Sequence, residues 1–228
     1  TGVQTCALPI YYILQILGPM LDGTVVTLKM FFVTIVLSLP LGLLLALGRI
    51  SPIRGLSAFI GVYIWVFRGT PLMLQLLFVY FGLPYIPVVG QALTLTDFQA
   101  AILAFVLNYA AYFAEIFRAG IQSIDRGQYE GAKALGMTYS QLMRRIILPQ
   151  VIKRVLPPVS NETITLVKDT SLIYVLAMND LMRTTRALVQ RDFTMTPFIV
   201  AGVFYLLMTL VLTKVFQRLE KRYAAYDE

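Results

Sequence analysis

Arg68, Asn108, Glu162 and the run Lys168-Asp169-Thr170-Ser171 interrupt stretches that are otherwise strongly apolar. A charged side chain at membrane depth costs about 2.5–3.5 kcal/mol on insertion scales, so such residues are kept for a purpose. Arg68 lies 12 residues beyond Leu56, about 18 Å along a helix, inside Phe67-Arg68-Gly69-Thr70-Pro71-Leu72. Glycine and proline beside it predict a locally broken helix, where irregular backbone lines a cavity. A guanidinium grips a carboxylate through two parallel hydrogen bonds. Arg68 therefore either holds the carboxylate of a substrate or pairs with Glu162 or Asp169.

The second group offers the complementary charge. Asp169 or Glu162 can meet a solute ammonium group, or either can neutralise Lys168. Thr170 and Ser171 are expected to cap a short helix, Leu172–Met178, whose N-terminus would aim partial positive charge at the cavity. Asn108 is either a donor in the site or an interhelical hydrogen bond. Glu115 precedes Arg118 by three residues, the spacing of a local ion pair. The chain has no His and one Cys, Cys6, so zinc sites and His-based acid–base chemistry lose their usual groups. No catalytic residue and no metal site can be nominated.

The elements that must position these residues are membrane helices. Of 228 residues, 58% are apolar and 14% charged, with a mean hydropathy of +0.74. Soluble domains carry about 45–50% apolar and about 25% charged residues. The composition therefore predicts an all-α polytopic membrane protein. Five spans are expected, at Thr24–Gly48, Ser57–Phe81, Phe98–Phe117, Val151–Val167 and Pro197–Thr213. Lys29 can snorkel from the first and Pro40 can kink it, and the short apolar piece Leu172–Met178 follows the fourth. Three segments hold 13 of the 19 basic residues: the loop after span one, the segment between spans three and four together with Lys153 and Arg154 at the start of span four, and the C-terminal tail. By the positive-inside rule they are cytoplasmic, which puts the N-terminus outside. The net charge of +7 is thus an orienting feature and calls for no nucleic-acid partner. Thr1–Ile10 resembles the translation of a sequencing-library adaptor; it is set aside as a non-native segment, leaving 11–228 as one transmembrane domain.

Between spans three and four, Ser123–Gln150 reads as two short helices around a glycine. Asp125 with Gln128 can start the first, and Gly136 suits the left-handed position after Leu135. Thr138 and Gln141 have capping-box spacing for the second, and Pro149 is expected to interrupt that helix or its continuation. Leu142, Ile146 and Pro149 would share a face, leaving Arg144 and Arg145 for water or lipid phosphates.

The spacing Glu130-Gly131-Ala132, three residues, Gly136, nine residues, Ile146, one residue, Leu148-Pro149 resembles the EAA loop of ABC importer permeases. The departure is Gly131, where that family usually has alanine. Phe67–Leu72, the segment Asn108-Tyr109-Ala110-Ala111-Tyr112-Phe113-Ala114-Glu115, and Lys168–Leu172 resemble permeases of the polar amino acid type, those for histidine, arginine and glutamine. The resemblance implies the type I ABC importer permease fold and a multi-pass place in the bacterial inner membrane. It also implies a set of partners: a cytoplasmic ATPase dimer that binds ATP and magnesium, a second permease subunit, and an extracytoplasmic substrate-binding protein. Glu130, Gly131, Ala132, Gly136, Ile146, Leu148 and Pro149 would then couple this chain to the ATPase. The chain holds no cofactor of its own: it lacks G-x-x-x-x-G-K-[ST], and no Gly-Lys dipeptide occurs. An ion-coupled carrier, an intramembrane enzyme, and an ABC permease for methionine or phosphonate are the competing readings.

Overall fold

The computed structural model describes residues 4–87 and 95–224, and among them every regular element is helical. The start of Thr1–Ile10 and the middle of the loop before Asp97 lie outside the described residues. The helices are α1 (Gln4–Ile50), α2 (Arg54–Gly69), α3 (Leu72–Leu77), α4 (Asp97–Gln122), α5 (Arg126–Ala134), α6 (Tyr139–Leu142), α7 (Leu148–Asp169), α8 (Leu181–Asp192) and α9 (Thr196–Ala224). A π-helical turn, Phe78–Gly82, extends α3, a second, Met143–Ile147, joins α6 to α7, and a 3-10 helix, Thr170–Leu176, continues α7.

Three stretches are long and apolar enough to cross a bilayer: Ile10–Ile50, Asp97–Gln122 and Thr196–Tyr223. The bent pair Arg54–Gly69 and Leu72–Tyr85 passes together as a fourth. The fifth expected span, α7, has 22 residues, about 33 Å at helical rise, but Lys153, Arg154, Glu162, Lys168 and Asp169 make it too polar to count on composition. The expected start of span one at Thr24 is also corrected, because α1 runs unbroken for 47 residues, about 70 Å. Its earlier turns are helical because they have a core to enter: Ile16 and Met20 are buried with Leu181 and Leu188 of α8 and Val200 and Ala201 of α9.

The chain gathers into two compact units, each drawn from three separate stretches. One comprises Thr1–Val36, Pro71–Val106 and Ile164–Leu212; the other comprises Leu37–Thr70, Leu107–Thr163 and Thr213–Glu228. The boundary in α1 falls beside Val36, whose carbonyl would be the helical acceptor for residue 40. Pro40 has no N–H to give it.

In the first unit, Gly23 lets α1 approach the start of α8: a Cβ there would lie 2.9 Å from the Asp180 carbonyl carbon and 3.0 Å from Leu181 Cα. Asp180 caps α8 by accepting hydrogen bonds from Met182 N–H (3.1 Å) and Arg183 N–H (3.0 Å). The Thr27 hydroxyl accepts from Leu181 N–H at 3.3 Å. The far end of α8 is tied by the Tyr12 hydroxyl, which donates to Asp192 Oδ2 at 2.7 Å. Lys29 lies 4.8 Å from the ring centroid of Phe98, a cation–π contact.

In the second unit, Ile60 and Ile64 of α2 pack on Ala111 and Ala114 of α4. Small residues allow close helix contact here: a Cβ on Gly42 would sit 2.7 Å from Phe113 Cβ, and one on Gly120 would overlap Val155. The loop helices form as the spacing predicts. Asp125 caps α5 by accepting from Gly127 N–H at 2.6 Å. At its end Gly136 takes φ +71°, while Gly136 N–H reaches Lys133 O at 3.0 Å and Met137 N–H reaches Ala132 O at 3.1 Å. That pair of bonds is a Schellman motif, and only glycine enters it without strain. Thr138 and Gln141 form the expected capping box, with bonds of 2.9 and 3.4 Å.

One part of that expectation is corrected. The π turn needs an extra residue per repeat, so the face carrying Leu142 continues to Ile147, fully buried, rather than to Ile146 and Pro149. Pro149 follows the π turn directly, inside a helix that runs on from α6 into α7, so its missing N–H leaves a carbonyl of that turn without a helical donor.

Two tests follow from the first unit. Gly23→Val should destabilise by about 1–3 kcal/mol, because backbone rather than a flexible side chain blocks the new methyls; a thermal unfolding series of the purified transporter measures it. Burial pushes the Asp180 carboxyl up to about 6, against about 3.9 in an unfolded chain. The native state then holds the proton more tightly, so this group's stabilisation is complete below pH 4 and is lost as pH rises to 6. Asp180→Asn, which keeps a capping oxygen, should remove that fall in apparent unfolding temperature between pH 4 and 6.

Candidate functional site

The site begins at the break after α2. Thr70 and Pro71 are extended, with φ/ψ of −117/145° and −61/133°. In a continuing helix the Phe67 carbonyl would accept from residue 71, but proline has no N–H. Asn108 of α4, 4% exposed, supplies the donor: its Nδ2 lies 3.0 Å from Phe67 O. The Thr70 hydroxyl donates to Val66 O at 2.8 Å, and the Tyr63 hydroxyl donates to Leu107 O at 2.6 Å. The end of α2 is thereby held to α4, with the Val66 and Phe67 carbonyls satisfied, as apolar surroundings require. Of the two readings for Asn108, the interhelical bond is the one seen in the structure.

Arg68 sits on this fixed end. Its guanidinium carbon lies 5.2 Å from the Tyr112 ring centroid, a contact that orients the fork without using its hydrogen-bond donors. It lines an open cleft of about 680 Å³ between α2, α4 and α7, within the range of about 300–1,000 Å³ typical of small-ligand sites. Glu115, Arg154, Asn161 and Glu162 line the same cleft. Arg118 closes an ion pair on Glu115, with Nε 2.9 Å from Oε2, and Arg154 donates to Ser123 O. A second cleft of about 500 Å³ lies on the other side of Arg68, Tyr112 and Glu115 and adds Arg49 and Arg118.

Arg68 and Glu162, nominated from sequence, therefore meet in one cleft. Tyr112, Glu115, Arg154 and Asn161 were missed as site residues. Their helical spacing carried the signal: 112, 115 and 119 on α4 and 154, 158, 161 and 162 on α7 each follow the three-to-four repeat of one face.

Lys168, Asp169, Thr170 and Ser171 belong to the other unit. Lys168 is exposed, Asp169 and Ser171 half-buried and Thr170 fully buried. The expected capped helix is corrected. Asp169 is itself helical, and α7 passes directly into the 3-10 helix Thr170–Leu176 without a side-chain cap. The Thr170 hydroxyl donates backward to Val167 O at 2.7 Å. No free helix N-terminus arises there, because the first amides are already inside a continuous helix. The real break comes at Ala177, in the left-handed region at φ 62°, and the capped N-terminus that follows is that of α8 at Asp180.

In the loop, Glu130, Gly131 and Gly136 are exposed and Ala132 is buried. Beside them Leu135 is 80% and Tyr139 75% exposed, two large apolar side chains presented on the capped turn between α5 and α6. A methyl added at Gly131 would meet nothing within 4 Å, so packing does not demand glycine at that position. Ile146 is half-buried, and Leu148 and Pro149 are exposed.

Comparison with known proteins matches this architecture. Residues 38–225 match the family described as binding-protein-dependent transport system inner membrane component. The chain is 39% identical over 208 residues to the arginine transport system permease protein ArtQ of Bacillus subtilis, covering 91% of this chain and 93% of that one. It is 36% identical over 202 residues to a putative glutamine transport system permease protein GlnP of Rickettsia bellii, covering 88% and 91%. A crystal structure of an amino acid ABC transporter with histidines superposes with a TM-score of 0.83 at 35% identity, covering 93% of this chain and 97% of that one. With the family match spanning most of its length, this chain belongs to the inner membrane components of binding-protein-dependent transport systems.

Proposed function

We propose that this chain is the permease subunit of an ATP-driven importer that carries polar amino acids across the bacterial inner membrane. The observation that carries the reading is the charge inventory of the cleft. Arg68 and Arg154 face Glu115 and Glu162 across a space of small-ligand size, and every free amino acid brings one carboxylate and one ammonium. Arginine and glutamine, named for the relatives, share that zwitterionic end and differ only beyond it.

In this reading Arg68 takes the carboxylate and Glu162 the ammonium. Asn108 positions Arg68 by holding the end of α2. Lys168, Asp169, Thr170 and Ser171 serve the solute within their own unit, and the excess of Lys and Arg argues for a cytoplasmic α5–α6 loop with the N-terminus outside. A cytoplasmic ATPase dimer receives Glu130 to Gly136, with Leu135 and Tyr139 as apolar anchors, while Ile146, Leu148 and Pro149 set where the loop joins α7. ATP and magnesium bind to that partner. A second permease, identical or homologous, completes the pathway, and an extracytoplasmic binding protein delivers the solute. Closure of the ATPases moves the loop and reorients the helices between inward-facing and outward-facing states.

Hydrogen bonds to a charged partner contribute about 1.5–3 kcal/mol each, which is about 10- to 150-fold in affinity. Arg68→Ala should raise the KM for uptake at least tenfold in proteoliposomes holding the complete transporter, and Arg68→Lys should fall between. An unchanged KM for every amino acid tested would remove the carboxylate assignment. Glu130→Arg should abolish stimulation of ATP hydrolysis by loaded binding protein while the basal rate of the ATPase persists. Normal stimulation together with normal transport would refute the loop's coupling role.

A further inference from the structure

A solute held by Arg68 and Glu162 leaves the second cleft, of about 500 Å³, for whatever else it carries, because Arg68, Tyr112 and Glu115 line both clefts. The other cation there, Arg49, lies in the last turn of α1. Its Nη1 donates to Ser57 Oγ at 2.6 Å, and the Ser57 hydroxyl donates back to the Arg49 carbonyl at 2.8 Å. The guanidinium lies across Gly61, where a Cβ would come within 3.2 Å of Nε and 3.3 Å of Cζ. Glycine weakens a helix interior, and at position 61 it makes the seat for this charge. Glu115 is the one carboxylate among the described residues that line the cleft, and Arg118 already takes it. Arg49, fixed by a hydroxyl, and Arg68, fixed by the Tyr112 ring, thus bring to the cleft two charges that no carboxylate there offsets.

Gly61, Ile64, Trp65 and Arg68 all line this cleft, at the three-to-four spacing of one face of α2. Arg68 is seven residues beyond the Gly61 seat of Arg49, about 10 Å along the helix. Charge-assisted hydrogen bonds of about 2.8 Å at either end leave roughly 5 Å for the body of a ligand. That is the span of two carboxylates joined through two or three carbons. Ile64 and Trp65, between the cations, are apolar and suit methylenes. We propose that the second cleft takes an acidic side chain, with its carboxylate on Arg49, so that the solute is a dicarboxylic amino acid. The proposal rests on Arg68 holding the α-carboxylate. A side-chain amide would leave the charge of Arg49 unanswered, and a cationic side chain would meet a like charge.

The test uses the complete transporter with its ATPase subunits but without binding protein, whose own selectivity would mask that of the cleft. Isothermal titration calorimetry measures its affinity for L-glutamate, L-glutamine and L-arginine. Glutamate should bind about tenfold more tightly than glutamine, the worth of one hydrogen bond between charged groups, and arginine more weakly than either. R49Q should cost glutamate about tenfold and leave glutamine nearly unchanged. R49K, which keeps the charge, should preserve most of glutamate's advantage. Arginine binding as tightly as glutamate in the wild type would overturn the proposal. So would an equal loss of glutamate and glutamine in R49Q, which would make Arg49 a structural residue, or no loss of either. R68A tests the assignment beneath it, because loss of the α-carboxylate contact should weaken glutamate and glutamine alike. If R68A leaves both unchanged, that assignment fails and the proposal with it. If R68A weakens both and R49Q does not separate them, the assignment stands and the proposal alone fails.

Discussion

Backbone groups in an apolar medium must find partners inside the protein, and Pro71 takes one away. Without an N–H at position 71, the carbonyl of Phe67 would be left unsatisfied at the end of α2, at a cost of about 1–3 kcal/mol. Asn108 supplies the missing donor from α4, at 3.0 Å. This bond allows the helix to stop where it does, and it fixes the residue that follows. Arg68 then projects from a rigid end rather than a fraying one, onto the face of Tyr112. The clefts on either side of Arg68 depend on that placement, as does any use of its guanidinium.

The same economy governs the charges around it. Glu115 is held by Arg118 within its own helix, and Arg154 is anchored on the Ser123 carbonyl. Both can line a cleft without an uncompensated desolvation cost. Two arginines and two glutamates in one space suit a ligand that is itself a zwitterion. The α5–α6 loop is built from local devices: an aspartate cap, a glycine Schellman turn and a capping box. They order the loop without needing a core, which leaves Leu135 and Tyr139 free to present apolar surface outward.

What was legible in the sequence follows from how local each determinant is. The Schellman glycine, the Thr138–Gln141 box, the Glu115–Arg118 pair and the break at Gly69–Pro71 are all set by residues within a few positions of one another, and each is present in the structure. The departures come from determinants that are not local. The helix before Thr24 exists because Ile16 and Met20 find α8 and α9 to pack on, which no window of α1 reveals. The face of the loop shifted from Ile146 to Ile147 because a π turn adds a residue to the repeat. Thr170 has the composition of a cap, but its hydroxyl bonds backward in a helix that never stops. The cleft joins faces from α2, α4 and α7, and only the folded chain shows that Arg154 and Glu162 look across it at Arg68.

The dependence of the Arg68 site on the Asn108–Phe67 bond is open to a double-mutant cycle, read as uptake KM in the reconstituted transporter. Asn108→Leu removes the donor at similar volume, and Pro71→Ala restores an N–H at the position that lacks one. If Asn108 acts by replacing that missing amide, Asn108→Leu raises KM strongly in the wild-type background and much less in the Pro71→Ala background. An equal rise in both backgrounds would show that Asn108 acts in some other way, and that the broken end of α2 does not hold Arg68 in place through this bond.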